Sequence, residues 1–171
     1  YGVSLINDCK YGYDVKENVL RLTLIKSAID PDPQADIGRH HFRYALYPHA
    51  GDWRVGGTVK MAYEFNHPLL ADWPQAGESE WRHDEYSLVK TASENVIIET
   101  VKKAEERPAI VLRVYEAFNQ RGLVELQFGE KLKSVHACNG LEEVQEAVDF
   151  SEHAFSFFIQ PFQIRTFCIE F

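Results

Sequence analysis

Apolar residues recur at every second position along most of this chain, and that period constrains its fold more than any other feature. Successive side chains of an extended strand point to opposite faces, so the alternation marks strands with one face buried. In "VLRLTLIK" Leu20, Leu22 and Leu24 point one way, Arg21 and Thr23 the other. "HFRYALY" sets Phe42, Tyr44 and Leu46 against Arg43 and Ala45, and "LVELQFG" sets Val124, Leu126 and Phe128 against Glu125 and Gln127. "AIVLRVYEAF" is apolar on nearly both faces and belongs in the middle of a sheet. With "EYSLVK", "NVIIETVKK", "FSFFIQ", "FQIRTFCIEF" and the alternating opening "YGVSLIND" the count reaches about nine strands.

One segment reads as a helix. It starts from Asp52 as N-cap, carries Val55, Val59, Ala62 and Tyr63 on one face, and stops at Asn66, His67 and Pro68. Gly56 and Gly57 weaken it, each costing about 1 kcal/mol relative to Ala, so packing has to hold it. "GLEEVQEAVDF" has a weak helical pattern and is expected to be a loop or a single turn. "AIDPDPQADIG" is a strand-to-strand loop, because its prolines lack the donor a sheet ladder needs. "LLADWPQAGESEWRHDEY" is a second long irregular stretch. Many short strands with one helix between them predict an all-β fold, a two-sheet antiparallel β-sandwich with one short helix, as one domain over residues 1–171.

Composition narrows the function classes. Of 171 residues 45% are apolar and 13% aromatic, enough for a packed core. Lys and Arg number 18 against 26 Asp and Glu, a net charge of −8 that argues against a nucleic-acid partner. Apolar runs such as "AFSFFI" fall far short of the roughly 18 residues of a spanning helix, so no membrane partner is expected. Cys9, Cys138 and Cys168 form neither a CxxC pair nor a disulfide framework, which fits ordinary packing in a reducing, cytoplasmic setting. The chain opens inside an alternating segment, without an initiator Met, as if cut from something longer.

Motifs for chemistry are sparse. Asp30, Asp32 and Asp36 lie near Arg39, His40 and His41, but adjacent histidines on a strand point to opposite faces, and no HExxH or EF-hand spacing appears. Asp8 with Asp14 is one of many carboxylate pairs, and nothing in the spacing makes it a catalytic couple. Glu116 reads as an exposed or ion-paired strand end. No GxSxG and no phosphate loop occurs. Trp53, Trp73 and Trp81, with Tyr11 and Tyr13 about Gly12, could stack on sugar rings or simply belong to the core.

Three segments in order, "GVSLINDCKYGYDVKENVLRLTLIKS", "DIGRHHFRYALYPHAGDW" and "VKMAYEFNHPL", carry a resemblance to a known family. They resemble the C-terminal β domain of family 38 glycoside hydrolases, the α-mannosidases, in their cytosolic and bacterial branch. "LRVYEAFNQRG" and "IQPFQIRTF" resemble it too, so the likeness covers nearly the whole chain. The resemblance implies a sandwich of the galactose-mutarotase-like, or supersandwich, type. It also implies a retaining enzyme whose Asp nucleophile and divalent metal, zinc or cobalt, sit on an N-terminal α/β barrel. No segment here matches that barrel, so no catalytic residue, metal ligand or cofactor is expected in this chain.

On the same resemblance, the partners are the N-terminal catalytic domain of the same polypeptide and the α-mannoside substrate. The family sends a basic residue toward the bound sugar soon after the first long strand, and Lys26, beside Ser27, occupies that neighbourhood. A Lys there is a point charge where Arg would be a fork. The "NDCKYGYD" turn is the other candidate, with Asp8, Lys10, Tyr11 and Tyr13 projecting from one loop. The expected role is a structural, pocket-completing domain, inactive alone. An autonomous carbohydrate-binding module is the alternative, marked by exposed Trp rings, and a self-contained hydrolase would need a carboxylate pair in a cleft.

Overall fold

Every strand pairing in the computed structural model is antiparallel, as the alternation requires of strands joined by short turns. The structure describes residues 1–72 and 85–171. It is all-β with one helix, and the chain divides into two units, Tyr1–Trp73 and Pro74–Phe171.

In the first unit β1 (Gly2–Asn7) pairs with β4 (Tyr44–His49), and β2 (Tyr13–Lys16) with β3 (Val19–Leu22). Helix α1 (Thr58–Asn66) packs on β1. The register places Ser4 opposite Tyr47 and Leu5 opposite Leu46, which separates the two faces of the ladder. Ser4, Ile6, Tyr47 and His49 share the helix side. Ser4 Oγ lies 2.7 Å from Thr58 Oγ1 and 3.0 Å from His49 Nε2, and Tyr47 Oη donates to the Gly56 carbonyl at 2.8 Å.

The helix face therefore covers Ala45, Tyr47 and His49, and the expected inward set of Tyr44 and Leu46 is exposed. Val3, Leu5, Val15, Val19, Leu20, Leu22, Leu24, Tyr44 and Leu46 instead line an open apolar trough of about 690 Å³. Periodicity located the faces but not the one that is covered. The helix begins at Thr58, six residues after Asp52. Asp52 Oδ1 instead accepts the Arg54 and Val55 amides at 3.0 and 3.1 Å, which caps a turn. Gly57, with φ at 66°, interrupts the helical path, and Val55 is left exposed.

The second unit holds β5 (Val89–Lys90), β6 (Val96–Lys103), β7 (Ile110–Glu116), β8 (Gly122–Phe128), β9 (Ser134–Cys138), β10 (Val144–Ala147), β11 (Ala154–Ile159) and β12 (Ile164–Glu170). A five-stranded sheet in the order β10-β9-β12-β7-β6 faces a three-stranded sheet in the order β11-β8-β5. Between them lies one core, built from Leu112 and Val114, Val124 and Leu126, Phe155, Phe157 and Ile159, Phe167 and Ile169. Phe167 meets Phe155 and Phe157 with ring centroids 4.9 and 4.7 Å apart. Each such side chain contributes about 1.5–3 kcal/mol on burial. The strongly apolar β7 is an inner strand, as its pattern demands.

Twelve strands form among the described residues, three more than the alternation marks. Within "GLEEVQEAVDF" a turn at 140–141 leads into β10, because pairing with β9 outweighs the helical preference of Glu, Gln and Ala. No described helix is long and apolar enough to cross a membrane.

Candidate functional site

Asn7 closes β1 and starts a tight turn. Its Oδ1 accepts the amides of Cys9, at 3.1 Å, and of Lys10, an Asx turn of the kind short amide side chains favour. The turn is braced from two sides. The Asn66 side-chain amide, at the end of α1, donates to the Asn7 carbonyl at 3.1 Å. Arg43 donates its backbone amide to Asp8 Oδ1 at 3.0 Å and its Nε to Asp8 Oδ2 at 3.2 Å, while its Nη2 reaches the Phe65 carbonyl at 3.2 Å.

Asp8 is thus a structural acceptor. The Arg43 amide, the Cys9 thiol and the Arg43 side chain together hold its carboxyl below the usual range against the opposing effect of desolvation, so it stays ionised and has no proton to give near neutrality. The Cys9 thiol is pushed up by its hydrogen bond to Asp8. Lys10 Nζ sits 5.0 Å from the Phe42 ring centroid, a cation–π contact that holds the ammonium beside the strand. Asp8, His40, His41, Phe42 and Arg43 line a cavity of about 450 Å³. His40 Nε2 donates to the Asp36 carbonyl at 2.8 Å.

The other candidate residues lie further along the same unit. Tyr11 is 88% exposed, and Tyr13 projects from β2, where the Thr23 amide donates to the Gly12 carbonyl at 2.8 Å. Lys26 lies in an irregular stretch after β3, exposed, with no hydrogen bond or ion pair to a described residue. Neighbouring Ser27 donates its amide to Asp36 Oδ2 at 2.9 Å. Asp14 pairs with Arg21, so Asp8 and Asp14 are held by different arginines. Sequence reasoning missed Phe42 and Arg43 as parts of this site, since they stand some 35 residues from the turn and only the β1–β4 register joins them.

Two further expectations meet the geometry. Glu116 is not exposed and forms no ion pair with a described residue: 1% exposed, it accepts hydrogen bonds from Asn95 Nδ2 at 3.0 Å, the Phe118 amide at 2.8 Å and the Phe162 amide at 3.0 Å. Burial pushes its pKa up, and those hydrogen bonds outweigh burial and hold it below the usual value. Trp53 is half-buried with the Arg54 guanidinium 4.7 Å from its ring, while Trp73 and Trp81 lie outside the described residues.

Among the described residues no group of three His, Cys, Asp or Glu side chains is placed to hold a metal ion. In the acidic loop Asp32 accepts the Gln34 amide and Asp36 that of Ser27. The Asn7–Gly12 turn thus holds the Lys10 ammonium beside Phe42 and leaves the Tyr11 ring in solvent.

Comparison with known proteins points one way. Residues 1–34 match the model of the glycosyl hydrolases family 38 C-terminal domain, and residues 95–167 that of the family 38 C-terminal beta sandwich domain. Together the two cover more than half of the chain. Alpha-mannosidase G of Dictyostelium discoideum is 34% identical over 98% of this chain, and alpha-mannosidase 2C1 of Homo sapiens 35% identical over 96%. Alpha-mannosidase of Saccharomyces cerevisiae is 33% identical over 99%. The chain spans 16–17% of the length of these relatives.

Proposed function

This chain belongs to family 38 of the glycosyl hydrolases, and from that premise we propose that it is the C-terminal structural and pocket-completing part of a longer α-mannosidase. The whole enzyme hydrolyses terminal α-D-mannosides with retention, in the cytoplasm. Its catalytic carboxylate and its divalent metal, zinc or cobalt, belong to an N-terminal domain of the same polypeptide. Among the described residues no three His, Cys, Asp or Glu side chains are grouped so as to hold such a metal.

Within that enzyme the chain's own residues bind and orient. Asp8, ionised and tied to Arg43, fixes the turn. Lys10, Tyr11 and Tyr13 supply a charge and ring faces to sugar hydroxyls and C–H faces, and Lys26 adds a second ammonium.

One observation carries the reading of a part within a larger body: the apolar trough of the first unit. Val3 and Leu46 are 60% and 65% exposed in it, and a free-standing protein seldom leaves so many large aliphatic side chains together in water. The test is an apolar dye such as anilinonaphthalene sulfonate with the 171-residue chain and its Leu46→Lys variant. Strong dye fluorescence from the chain, reduced several-fold by the variant, is expected. A dye-silent, monodisperse chain would overturn the reading.

A further inference from the structure

The second unit carries a cleft of about 550 Å³ at the edge of the five-stranded sheet, where the chain after β9 leaves β12. Its chemistry comes from Arg113, Gln145, Glu146, Gln163, Arg165 and Thr166, and its volume falls within the roughly 300–1,000 Å³ of small-molecule sites. β12 and Cys138 supply the floor, and the turn after β9 with β10 supplies one wall.

Arg113 is the unusual member. It stands on β7 opposite Thr166, to whose Oγ1 it donates from Nε at 3.3 Å, and its Nη2 reaches the Gly140 carbonyl at 3.5 Å. No described carboxylate lies in ion-pair contact with it, Glu142 acting on it only through space, and its Nη1 group donates to no described residue. The acidic neighbours are taken: Glu146 lies 3.6 Å from Arg165, and Glu142 lies 2.8 Å from Lys102 and accepts the Glu105 amide. Arg165 stands opposite the core residue Val114, its guanidinium 5.6 Å from the Phe167 ring centroid and paired to Glu146, so Arg113 is the cation that remains for a ligand.

The amides point the same way. Gln163 uses its Oε1 to accept the Gln160 amide at 2.9 Å, which leaves its NH₂ end as the uncommitted group. Gln145 is the extra residue of a β-bulge, since Val144 pairs with Cys138 and Glu146 with Ala137. Bulges on edge strands re-aim side chains, and this one lies at the cleft. Uncommitted donors around a guanidinium fork suit a ligand with several acceptor oxygens in one group.

We propose that this cleft binds a small organic oxyanion, a phosphate ester or a carboxylate, with Arg113 gripping two of its oxygens and Gln163 and Gln145 completing the shell. The site belongs to the second unit and does not depend on the pocket-completing role.

The experiment is an amide NMR titration of the 171-residue chain with a hexose 6-phosphate, a hexuronate and the neutral hexose. Saturable shifts at 139–146 and 163–166 with either anion, and not with the neutral sugar, are expected, and the tighter anion identifies the source. Arg113→Gln should weaken binding about tenfold or more through loss of a charge-assisted pair. Arg113→Lys, which keeps the charge and loses the fork, should weaken it several-fold with the spectrum's dispersion intact, and it decides the matter if the Gln variant misfolds. Flat titrations with both anions, equal shifts from the neutral hexose, or unchanged affinity in Arg113→Lys and in any folded Arg113→Gln would overturn the proposal.

Discussion

Glu116 Oε2 accepts the backbone amide of Phe162 at 3.0 Å, 46 residues further along the chain. The same carboxylate takes the Asn95 side chain and the Phe118 amide, so one buried anion ties three separate connections at one end of the second unit. Charged acceptors to several N–H donors are stronger than neutral ones, and losing one leaves those donors unsatisfied. Glu116→Gln turns an NH₂ toward donors it cannot accept from. It should cost about 2 kcal/mol or more in chemical denaturation, with part recovered by Glu116→Asp.

The same group sets an acid limit. Its pKa is lowered on folding from the ordinary 4.5. A depressed carboxyl contributes stability that is complete above its unfolded pKa and is lost as pH falls through the folded one. Denaturation of the chain from pH 7 to pH 3 should therefore show stability falling below about pH 4.5, with a smaller fall in Glu116→Gln.

At Gly56 a Cβ would lie 2.4 Å from the His49 ring, which is buried under the 51–57 turn. Gly56→Ala should cost about 2 kcal/mol or more through overpacking. Gly57 has open space around it but a left-handed φ of 66°, so Gly57→Ala should cost only about 1 kcal/mol. Thermal melts of the two variants give the order directly.

Asp8→Asn should loosen the turn without unfolding the unit. The Arg43 amide, which donates to Asp8 Oδ1, should exchange several-fold faster with solvent deuterium. Amides of the second-unit core strand β7 should keep their rates.

Core and trough should respond in opposite ways to the same chemical change. Leu112, 1% exposed, sits in the closed core, so Leu112→Ala should cost about 2–5 kcal/mol. Leu46, in the open trough, should tolerate Ala within about 0.5 kcal/mol in the 171-residue chain.

Much of this was legible in the residues themselves. The inner strands of the second unit announce themselves because one face of each is buried, and Val124, Leu126 and Phe128 face inward as their spacing requires. β10 was hidden because its residues favour a helix and only its neighbour β9 makes it a strand. The helix start was misplaced because Asp52 caps whatever follows it, and Gly57 decides that a turn comes first. Asp8 and Lys10 stand out as a local motif, whereas Arg43 and Phe42 become their partners only through strand register. Glu116 was misread because nothing local tells a buried strand end from an exposed one.

The measurement that bears most directly on the chain's role is hydrolysis of an aryl α-mannoside by the 171-residue chain, with zinc and then cobalt added. No turnover above buffer is expected, because the catalytic groups are assigned to another domain. Saturable hydrolysis by this chain, abolished by a substitution within it, would contradict that assignment.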